Sequence, residues 1–373
     1  MSDIDETPSA TSWRVKILAL FISLGVGVLL AEGLLRVTGI VTDRGGISTV
    51  TTRQFDEVPG IFTPGQEATI YQIGALPYQA STNELGYRGR EIERQKELGT
   101  FRVLFAGDSF VYGDFVDDEE TLPAQLESGL NARCTIPIEV VNAGLGGSTI
   151  RDQSEMIDRG RAMDPDLVVL QFSENDVLDL VAPFMWEQLA ANREFKSRFP
   201  MSIAYRVMRG SAIWNLTLRV RALRQARAAE EALAAEAESA GEAAETEADA
   251  PPPDPMSAAA LAEYRAEYAR RLDDVRNELG ADGIPLLFTV FPAHLSVYEL
   301  WDSDQLEWLD SVVEELDIET VSYHPAFLED GRDETQLYLL PHDGHASPEG
   351  YALAANVLIT RLVESGPLAA ACN

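Results

Sequence analysis

The sequence predicts an α/β fold with a mainly parallel sheet, and two observations support this prediction. Short apolar runs of strand length alternate with longer segments of helical character along residues 101–183 and again along residues 257–366. Strands that alternate with helices form βαβ units, in which the strands run parallel. In addition, each of the first three apolar runs ends in a cluster of small polar residues. Such clusters are expected at the sheet edge where open α/β sheets bind ligands.

The amino-terminal part of the chain predicts a membrane anchor. Residues 1–12 are polar and acidic, and we expect them to be disordered. The predicted anchor comprises residues 13–38, and its stretch from Ile17 to Ala31 carries no charge. Together with the apolar residues after it, this stretch has a length close to the ~20 residues needed to cross a bilayer. Arg14 and Lys16 precede this stretch. By the positive-inside tendency, the amino end stays in the cytoplasm and the rest lies on the extracytoplasmic side, periplasmic or extracellular.

Two alternatives to this uncleaved signal anchor remain open. A cleaved signal peptide has the same apolar character, although no convincing site of small residues follows the apolar run. A buried core helix normally has a polar face, which this segment nearly lacks. Glu32 is unfavourable in lipid, but it lies near the far end of the segment. There it can reach the interface or pair with Arg36, one helical turn on.

Composition limits the classes of partner. The 373 residues include 29 Lys and Arg against 61 Asp and Glu, which gives a net charge of -32. A field of this sign repels nucleic acid and anionic lipid surfaces, so we expect no nucleic-acid partner. The two cysteines, Cys134 and Cys372, form no metal-binding motif, and the sequence leaves open whether they pair.

Two further segments flank or interrupt the predicted core domain, which comprises residues 101–183 and 257–366. Residues 39–100 mix short apolar pieces with turn residues and predict an extension that packs on the core. Residues 184–256 predict an insertion, first helical with aromatics and arginines, then rich in Ala, Glu and Pro. Its part 227–256 lacks large apolar residues and predicts a solvated helix or disordered linker, with an acidic interaction arm as the alternative.

Within the core domain, the elements follow one another in regular order. Strands are predicted at residues 103–106, 138–141, 167–172, 285–291 and 320–323. Helices are predicted at residues 122–130, 150–163, 258–279, 303–316 and 348–363. For the last helix, Ser347 is the expected N-cap and Pro348 the first helical residue.

A serine stands directly after the first predicted strand, in Gly107-Asp108-Ser109. At this place a serine can be exposed, rigidly held and close to free backbone N–H groups, which a nucleophile requires together with a base. The same three residue types are common in turns, where Asp108 or Ser109 would only cap the next helix. The motif therefore needs support from the rest of the chain.

Other predicted loops offer a base and an oxyanion site. Asp343-Gly344-His345 places a carboxylate and an imidazole on one tight turn. The carboxylate can fix the tautomer of the ring, which can then accept a proton from Ser109. Gly147, after the second strand, can present a backbone N–H, and Asn175, after the third, can donate from its carboxamide. Taken singly, each of these residues is an ordinary loop or turn residue.

The order of these blocks resembles the SGNH hydrolase family, also called GDSL hydrolases. Its four blocks are matched by GDSF at 107–110, NAGLGG at 142–147, SEND at 173–176 and DGH at 343–345. The resemblance covers about residues 101–179 and 285–363. It implies a three-layer α/β/α fold, a serine mechanism that forms or cleaves esters, and no metal or cofactor.

The resemblance also assigns roles to individual residues. It implies a catalytic triad of Ser109, Asp343 and His345. It further implies an oxyanion hole formed by the N–H groups of Ser109 and Gly147 and by the carboxamide of Asn175.

Two features depart from the common family pattern. Glu174 stands where many members have glycine, and one residue rather than two separates Asp343 from His345. The shorter spacing, and the stretch NELGYRGRE at 83–91, resemble a membrane-anchored envelope subgroup related to polysaccharide O-acetyltransferases. The spacing leaves open whether Asp343 or another carboxylate orients His345. It also keeps His342 as a minor alternative base.

We therefore expect serine-dependent ester hydrolysis, or transfer of an acyl group such as acetyl, on an envelope or extracellular glycan. A lipid or lysophospholipid ester is the alternative substrate, because the domain is predicted to be tethered near a bilayer. A membrane-anchored glycan-binding or scaffold protein without turnover is the alternative from another class. The expected partners are a small-molecule or polysaccharide ester and, through the amino-terminal helix, the membrane. The insertion is expected to be either a lid over the site or a spacer.

Overall fold

The computed structural model describes most of the core domain and the amino-terminal helix. The described residues are 12–38, 47, 58–70, 77–182, 184–185, 195, 198–201, 203–204, 208, 211–217, 220, 224, 258–297, 304–341 and 343–372. The predictions for residues 1–11 and 227–256, and the alternative base His342, lie outside this part of the chain.

Helix α1 (Trp13–Thr38) is long and apolar, and none of its residues is buried. Its most apolar 18-residue window has a mean hydropathy of 2.3. By length and composition this helix can cross a bilayer, and a signal sequence near an amino terminus has the same properties.

A small antiparallel sheet precedes the core domain. Strands β1 (Gln66–Ile70) and β2 (Tyr78–Thr82) pair with Gln66 opposite Thr82 and Ile70 opposite Tyr78. Both strands alternate between buried and more exposed residues. The sequence analysis predicted an extension here but no strands.

The main sheet has five parallel strands, in the order β4-β3-β5-β6-β7. Their bounds are β3 Phe101–Gly107, β4 Ile138–Gly144, β5 Leu167–Ser173, β6 Leu286–Phe291 and β7 Thr320–Ser322. The five central residues of β3 and all of β5 are buried, as expected for strands covered on both faces. The prediction of an α/β fold with a mainly parallel sheet is confirmed.

The strand order creates a switch point beside β3. After β3 the chain moves to one side to form β4, and it then returns past β3 to form β5 on the other side. The loops that leave β3 and β5 therefore diverge at the carboxyl edge of the sheet. In open α/β sheets, ligands bind in the crevice that such divergence creates.

Helices cover both faces of the main sheet. Outside residues 184–257, the described α-helices after α1 are α2 Ser109–Tyr112, α3 Leu122–Asn131, α4 Ile150–Gly160, α5 Ala258–Asp282, α6 His294–Val297, α7 Asp304–Glu315, α8 His324–Asp330, α9 Glu334–Leu337 and α10 Pro348–Glu364. Short 3-10 helices lie at Asp118–Glu120, Arg161–Met163 and Leu178–Val181. One apolar core joins α4, α5 and α7 to one face of the sheet. A second core joins α3, α8 and α10 to the other face, which completes three layers.

The start of α10 agrees with the sequence prediction. Ser347 is its N-cap, and the Ser347 hydroxyl accepts a hydrogen bond of 3.1 Å from the backbone N–H of Gly350. Pro348 is the first helical residue. Such a cap stabilises a helix by about 1 kcal/mol. Because His345 lies two residues before this cap, the same contact fixes the position at which the His345 loop joins the start of α10.

The two cysteines, whose pairing the sequence left open, form a disulfide between Cys134 and Cys372. Leu368 is buried as well, so the chain continues to pack on the core beyond α10. Cys134 precedes β4, so this bond lies toward the amino edge of the sheet, opposite to Ser109.

Candidate active site

Ser109 is the first residue of α2, directly after β3. The carboxylate of Asp108 caps this helix by accepting a hydrogen bond of 3.0 Å from the N–H of Phe110. Gly107 allows the tight turn, because a Cβ there would lie 2.4 Å from Cγ2 of Val111. The capping role that the sequence analysis considered for Asp108 is therefore real, and it holds Ser109 at the carboxyl edge of the sheet.

His345 contacts Ser109 with one ring nitrogen and Asp343 with the other. Its Nε2 lies 2.8 Å from the Ser109 Oγ, and its Nδ1 is hydrogen-bonded to the Asp343 carboxylate. The backbone N–H of His345 donates to the same carboxylate oxygen at 2.8 Å. The one-residue spacing lets one carboxylate accept from both the backbone and the ring of His345. Asp343 is thus in position to orient the ring, with Nε2 free to accept the hydroxyl proton.

The charges around His345 set its protonation. Burial alone lowers its pKa, but the hydrogen bond and charge of Asp343 and the nearby carboxylates of Asp114 and Asp108 raise it above the ordinary value. Burial likewise acts to raise the pKa of Asp343, yet the contacts with His345 and the charge of His294 hold it below its usual range. Asp343 is therefore ionised beside an imidazole that holds its proton more firmly than a free histidine.

Two aromatic rings hold the imidazole in place. Phe110 stacks on His345 with ring centroids 4.7 Å apart, and the ring of Phe115 lies 5.2 Å away, centroid to centroid. Phe115 has a φ of 71°, a left-handed conformation that is rare for a bulky residue. Such a conformation persists only where surrounding contacts impose it.

Arg88 supplies contacts of that kind. Its buried guanidinium donates to the carbonyl oxygens of Tyr112, Gly113 and Val116, at 2.8, 2.5 and 2.7 Å. It also pairs with Asp118 at 2.8 Å. Arg88 belongs to the NELGYRGRE stretch, which the sequence analysis treated only as a point of resemblance. The structure shows that it holds the loop that carries Asp114 and Phe115.

The loop after β4 lies beside Ser109. The N–H of Leu145 donates to the carbonyl of Gly107 at 3.1 Å, and a Cβ on Gly146 would lie 3.9 Å from the Ser109 Cβ. Gly147 has a φ of 69°, which favours glycine, and an added Cβ there would come within 4 Å of the Met185 side chain only, its chain neighbours aside. The predicted glycine therefore directly follows the residue that lies beside the nucleophile candidate.

Asn175 lies at the same edge, after β5, and one N–H of its carboxamide is already engaged. Its Nδ2 donates to the carboxylate of Asp179 at 2.7 Å. The Asn175 side chain also lies close enough to Asp108 to lower the pKa of that acid. Asp179 orients the amide, and the sequence analysis did not identify Asp179. The only sequence signal for Asp179 was its position one helical turn after Asn175.

Glu174, the departure from the family pattern, links two loops. Its carboxylate accepts the N–H of Ala293 at 3.2 Å, and its carbonyl accepts from the Gln305 side chain at 2.5 Å. These contacts join the loop after β5 to the loop after β6 and to α7. Glu174 thus has a structural role in joining these loops.

Two buried acids lie beneath the site. Asp108 accepts from the Ser173 hydroxyl at 3.1 Å, and Asp176 accepts from the N–H of the same residue at 3.1 Å. Gln153 donates to the other oxygen of Asp176 at 3.2 Å. Burial raises the pKa of both acids, and the charge of Asp108 raises that of Asp176 further. Asp176 is therefore held in its neutral form more readily than Asp108.

Among the residues that the structure describes, no group of three or more His, Cys, Asp or Glu side chains is arranged to hold a metal ion. The polar groups at the carboxyl edge instead form the serine, histidine and carboxylate chain described above.

The sequence from 105 to 353, more than half of the chain, matches the family model of the GDSL-like lipase/acylhydrolase family. The chain belongs to this family. Family membership supports an enzyme that hydrolyses ester bonds. No curated protein matches the chain significantly.

Two solved structures are similar to the chain at low sequence identity. An acetylxylan esterase from Geobacillus stearothermophilus is 16% identical with a TM-score of 0.40, over 72% of this chain and 96% of that one. A lipase/acylhydrolase from Enterococcus faecalis is 14% identical with a TM-score of 0.39, over 70% and 95%. At these values the family assignment rests on the sequence match.

Proposed function

We propose that this GDSL-family chain is a serine esterase in which Ser109 is the nucleophile and His345 the base. The observation that carries this proposal is the continuous contact from Ser109 through His345 to Asp343. His345 accepts the hydroxyl proton as Ser109 Oγ attacks the ester carbonyl, and it then donates that proton to the leaving alcohol. Asp343 fixes the ring tautomer and stabilises the imidazolium.

The negative charge that develops on the carbonyl oxygen needs donors in fixed positions. We assign this role to the N–H groups of Ser109 and Gly147 and to one N–H of the Asn175 carboxamide, whose other N–H donates to Asp179. Ser109 is the first residue of a helix, and Gly147 lies in the turn between β4 and α4. Removing one such donor typically reduces kcat by roughly a hundred- to a thousand-fold. The acyl-enzyme is then resolved by water or by a sugar hydroxyl.

The proposed substrate is an acylated, in particular acetylated, glycan of the envelope or the extracellular space. This rests on α1 as an uncleaved anchor and on the resemblance of the 83–91 stretch and the Asp343–His345 spacing to the O-acetyltransferase-related subgroup. The Cys134–Cys372 disulfide supports an oxidising compartment, and so an extracytoplasmic location.

A lipid or lysophospholipid ester is the second candidate substrate. It is favoured by a contact between α1 and the insertion, in which Glu32 accepts hydrogen bonds from Ser211 and the two residues after it. A chain held in this way has its catalytic domain close to a bilayer, where lipid esters are concentrated.

The decisive experiment compares the full-length protein with Ser109→Ala in detergent micelles, with p-nitrophenyl acetate as substrate. Ser128→Ala, an exposed serine on α3, is the matched control. We expect Ser109→Ala to lose turnover by orders of magnitude and to lose labelling by a fluorophosphonate probe, and Ser128→Ala to keep both. Equal turnover in Ser109→Ala and wild type would refute the assignment.

The same preparation separates the remaining alternatives. Oligosaccharide acceptors that become acetylated would identify a transferase, and acetate release alone would identify a hydrolase. Faster turnover of a lysophospholipid than of an acetylated oligosaccharide would favour the lipid substrate. A wild type with neither turnover nor probe labelling would favour the binding or scaffold protein, whose glycan affinity should survive Ser109→Ala.

A further inference from the structure

One part of the insertion, residues 193–227, carries a net charge opposite to that of the whole chain, whereas the part that follows it is acidic. Residues 193–227 contain one acidic residue, Glu194, while the chain has a net charge of -32. The same segment contains nine basic residues: Arg193, Lys196, Arg198, Arg206, Arg209, Arg219, Arg221, Arg224 and Arg227. Nearly a third of the 29 Lys and Arg residues thus lie in this one segment. A local excess of this size attracts anionic surfaces although the protein as a whole repels them.

Large apolar side chains are exposed in the same segment. Phe195, Phe199 and Ile203 are 56%, 82% and 57% exposed, and Trp214 is 39% exposed. Arg198 and Arg224 are exposed as well. We call these six residues the insertion surface. Basic side chains combined with exposed Phe, Ile and Trp are typical of segments that lie in the interfacial region of a membrane.

The insertion is bonded to α1. The Glu32 carboxylate accepts the Ser211 hydroxyl at 2.9 Å and the N–H groups of Ala212 and Ile213 at 2.8 and 3.0 Å. Residues 212–217 are helical, and Ser211 caps them by accepting the N–H of Trp214 at 3.3 Å. The first turn of this helical segment is thereby held against the side of α1.

The position of Glu32 sets the depth of this contact. Glu32 directly follows the uncharged stretch Ile17–Ala31 and so lies near the outer end of the apolar part of α1. Groups that are hydrogen-bonded to Glu32 therefore lie near the outer side of the bilayer. Trp214 follows within one helical turn, and tryptophan is enriched at this depth.

We propose that the insertion surface is a second membrane contact, which lies on the anionic phospholipid surface of the bilayer that α1 spans. The proposal rests on the proposed anchor and goes beyond it. The arginines bind lipid phosphates, and Phe195, Phe199 and Ile203 enter the interfacial region.

The Met185 side chain lies 3.9 Å from the place of a Cβ on Gly147, so the insertion begins beside the active site. Contact with lipid therefore fixes how far the site stands from the membrane.

The test uses the full-length protein with one new cysteine, Ile203→Cys, labelled with the environment-sensitive fluorophore NBD. Both native cysteines are paired, so only the new thiol reacts. The matched control is Leu98→Cys. Leu98 is fully exposed and precedes β3, at the sheet edge opposite to Ser109. Both proteins are reconstituted into phosphatidylcholine vesicles with and without phosphatidylglycerol.

We expect nitroxide-labelled lipid to quench the probe at position 203 several-fold more than the probe at position 98 in vesicles with phosphatidylglycerol. The difference should shrink in pure phosphatidylcholine, at high salt, and when Arg198→Gln and Arg224→Gln are added. These variants lie outside the proposed catalytic residues, so retained ester turnover shows that they fold. A probe at position 203 as open to aqueous quenchers as the one at position 98 overturns the proposal.

Flotation of the vesicles separates this proposal from the anchor. If the chain floats with the vesicles while its probe at position 203 stays in water, the proposed anchor is supported and the second contact is refuted. A chain that does not float refutes the anchor and, with it, the second contact. Ester turnover is read independently of both.

Discussion

The hydroxyl of Tyr78 donates a hydrogen bond of 3.0 Å to the carboxylate of Asp114. Asp114 lies near His345 and contributes to its raised pKa. Burial raises the pKa of Asp114 itself, whereas the charge of His345 and the hydrogen bond from Tyr78 act to lower it. Strand β2 of the small sheet therefore fixes a second carboxylate beside the proposed base, in addition to Asp343.

Asp114→Asn should shift the pH dependence of kcat/KM. A general base must be neutral to act, so activity falls as the pH drops below the pKa of His345. That pKa is raised, and the charge of Asp114 is one cause. Because the variant removes this charge, the acidic limb should move to lower pH. The amide oxygen can still accept from Tyr78, so the fold should be kept.

The control for this prediction is Glu119→Gln, which removes one charge from an exposed residue of the same loop region. It should leave the acidic limb in place. Kinetic pH profiles of wild type and both variants on p-nitrophenyl acetate make the comparison. An acidic limb that is the same in Asp114→Asn and wild type would mean that Asp114 does not act on the base.

Asn175→Ala should reduce kcat by roughly a hundred- to a thousand-fold, since it removes one proposed oxyanion donor. Asp179→Asn is the informative partner variant, because its amide oxygen can still accept from the Asn175 carboxamide. Asp179→Asn should therefore reduce kcat much less than Asn175→Ala does. Steady-state kinetics with thermal melts of each variant provide the measurement. Near wild-type kcat in a folded Asn175→Ala protein would remove Asn175 from the oxyanion hole.

The parts of the site that follow strand ends could be predicted from the sequence. β3 is a continuous apolar run whose end is visible at Gly107, and parallel strands bring their carboxyl ends to one edge of the sheet. Residues after β3, β4 and β5 were therefore expected to lie together, and Ser109, Gly147 and Asn175 do follow these three strands. Local sequence was sufficient here because strand direction alone determines the edge.

The contacts that depend on pairing across long distances could not be predicted. β1 and β2 are short and carry polar residues on their exposed faces, so neither has the apolar run that identifies a buried strand. The Tyr78–Asp114 contact joins residues 36 positions apart. The left-handed backbone of Phe115 depends on the loop held by Arg88. No local pattern encodes these relationships, because each results from packing between separate segments.

Asp176→Asn should change the pH dependence of stability. The folded pKa of Asp176 is raised, mainly by burial and then by the charge of Asp108. The neutral form therefore stabilises the fold below the unfolded pKa, and this stability is lost as the pH rises through the folded pKa. Each unit of difference between the two pKa values corresponds to about 1.4 kcal/mol. Asparagine cannot ionise, so the variant should gain stability relative to wild type as the pH rises.

Thermal melts from acidic to neutral pH test this expectation, with Asp310→Asn, an exposed residue of α7, as the control. The Tm difference between Asp176→Asn and wild type should grow with pH, while the difference for Asp310→Asn should stay constant. A constant Tm difference for Asp176→Asn would show that the pKa of Asp176 is the same in the folded and the unfolded protein, which would contradict the expectation.

Replacing both cysteines, Cys134→Ser with Cys372→Ser, should separate stability from catalysis. The disulfide joins residues 238 positions apart, and the chain-entropy account assigns about 5 kcal/mol to closing a loop of this length. Denaturant unfolding followed by circular dichroism should show a loss of a few kcal/mol. Because Cys134 precedes β4, at the edge away from Ser109, kcat at low temperature should stay near the wild-type value. A folded variant with unchanged stability but much reduced kcat would mean instead that the disulfide acts on the site through the sheet.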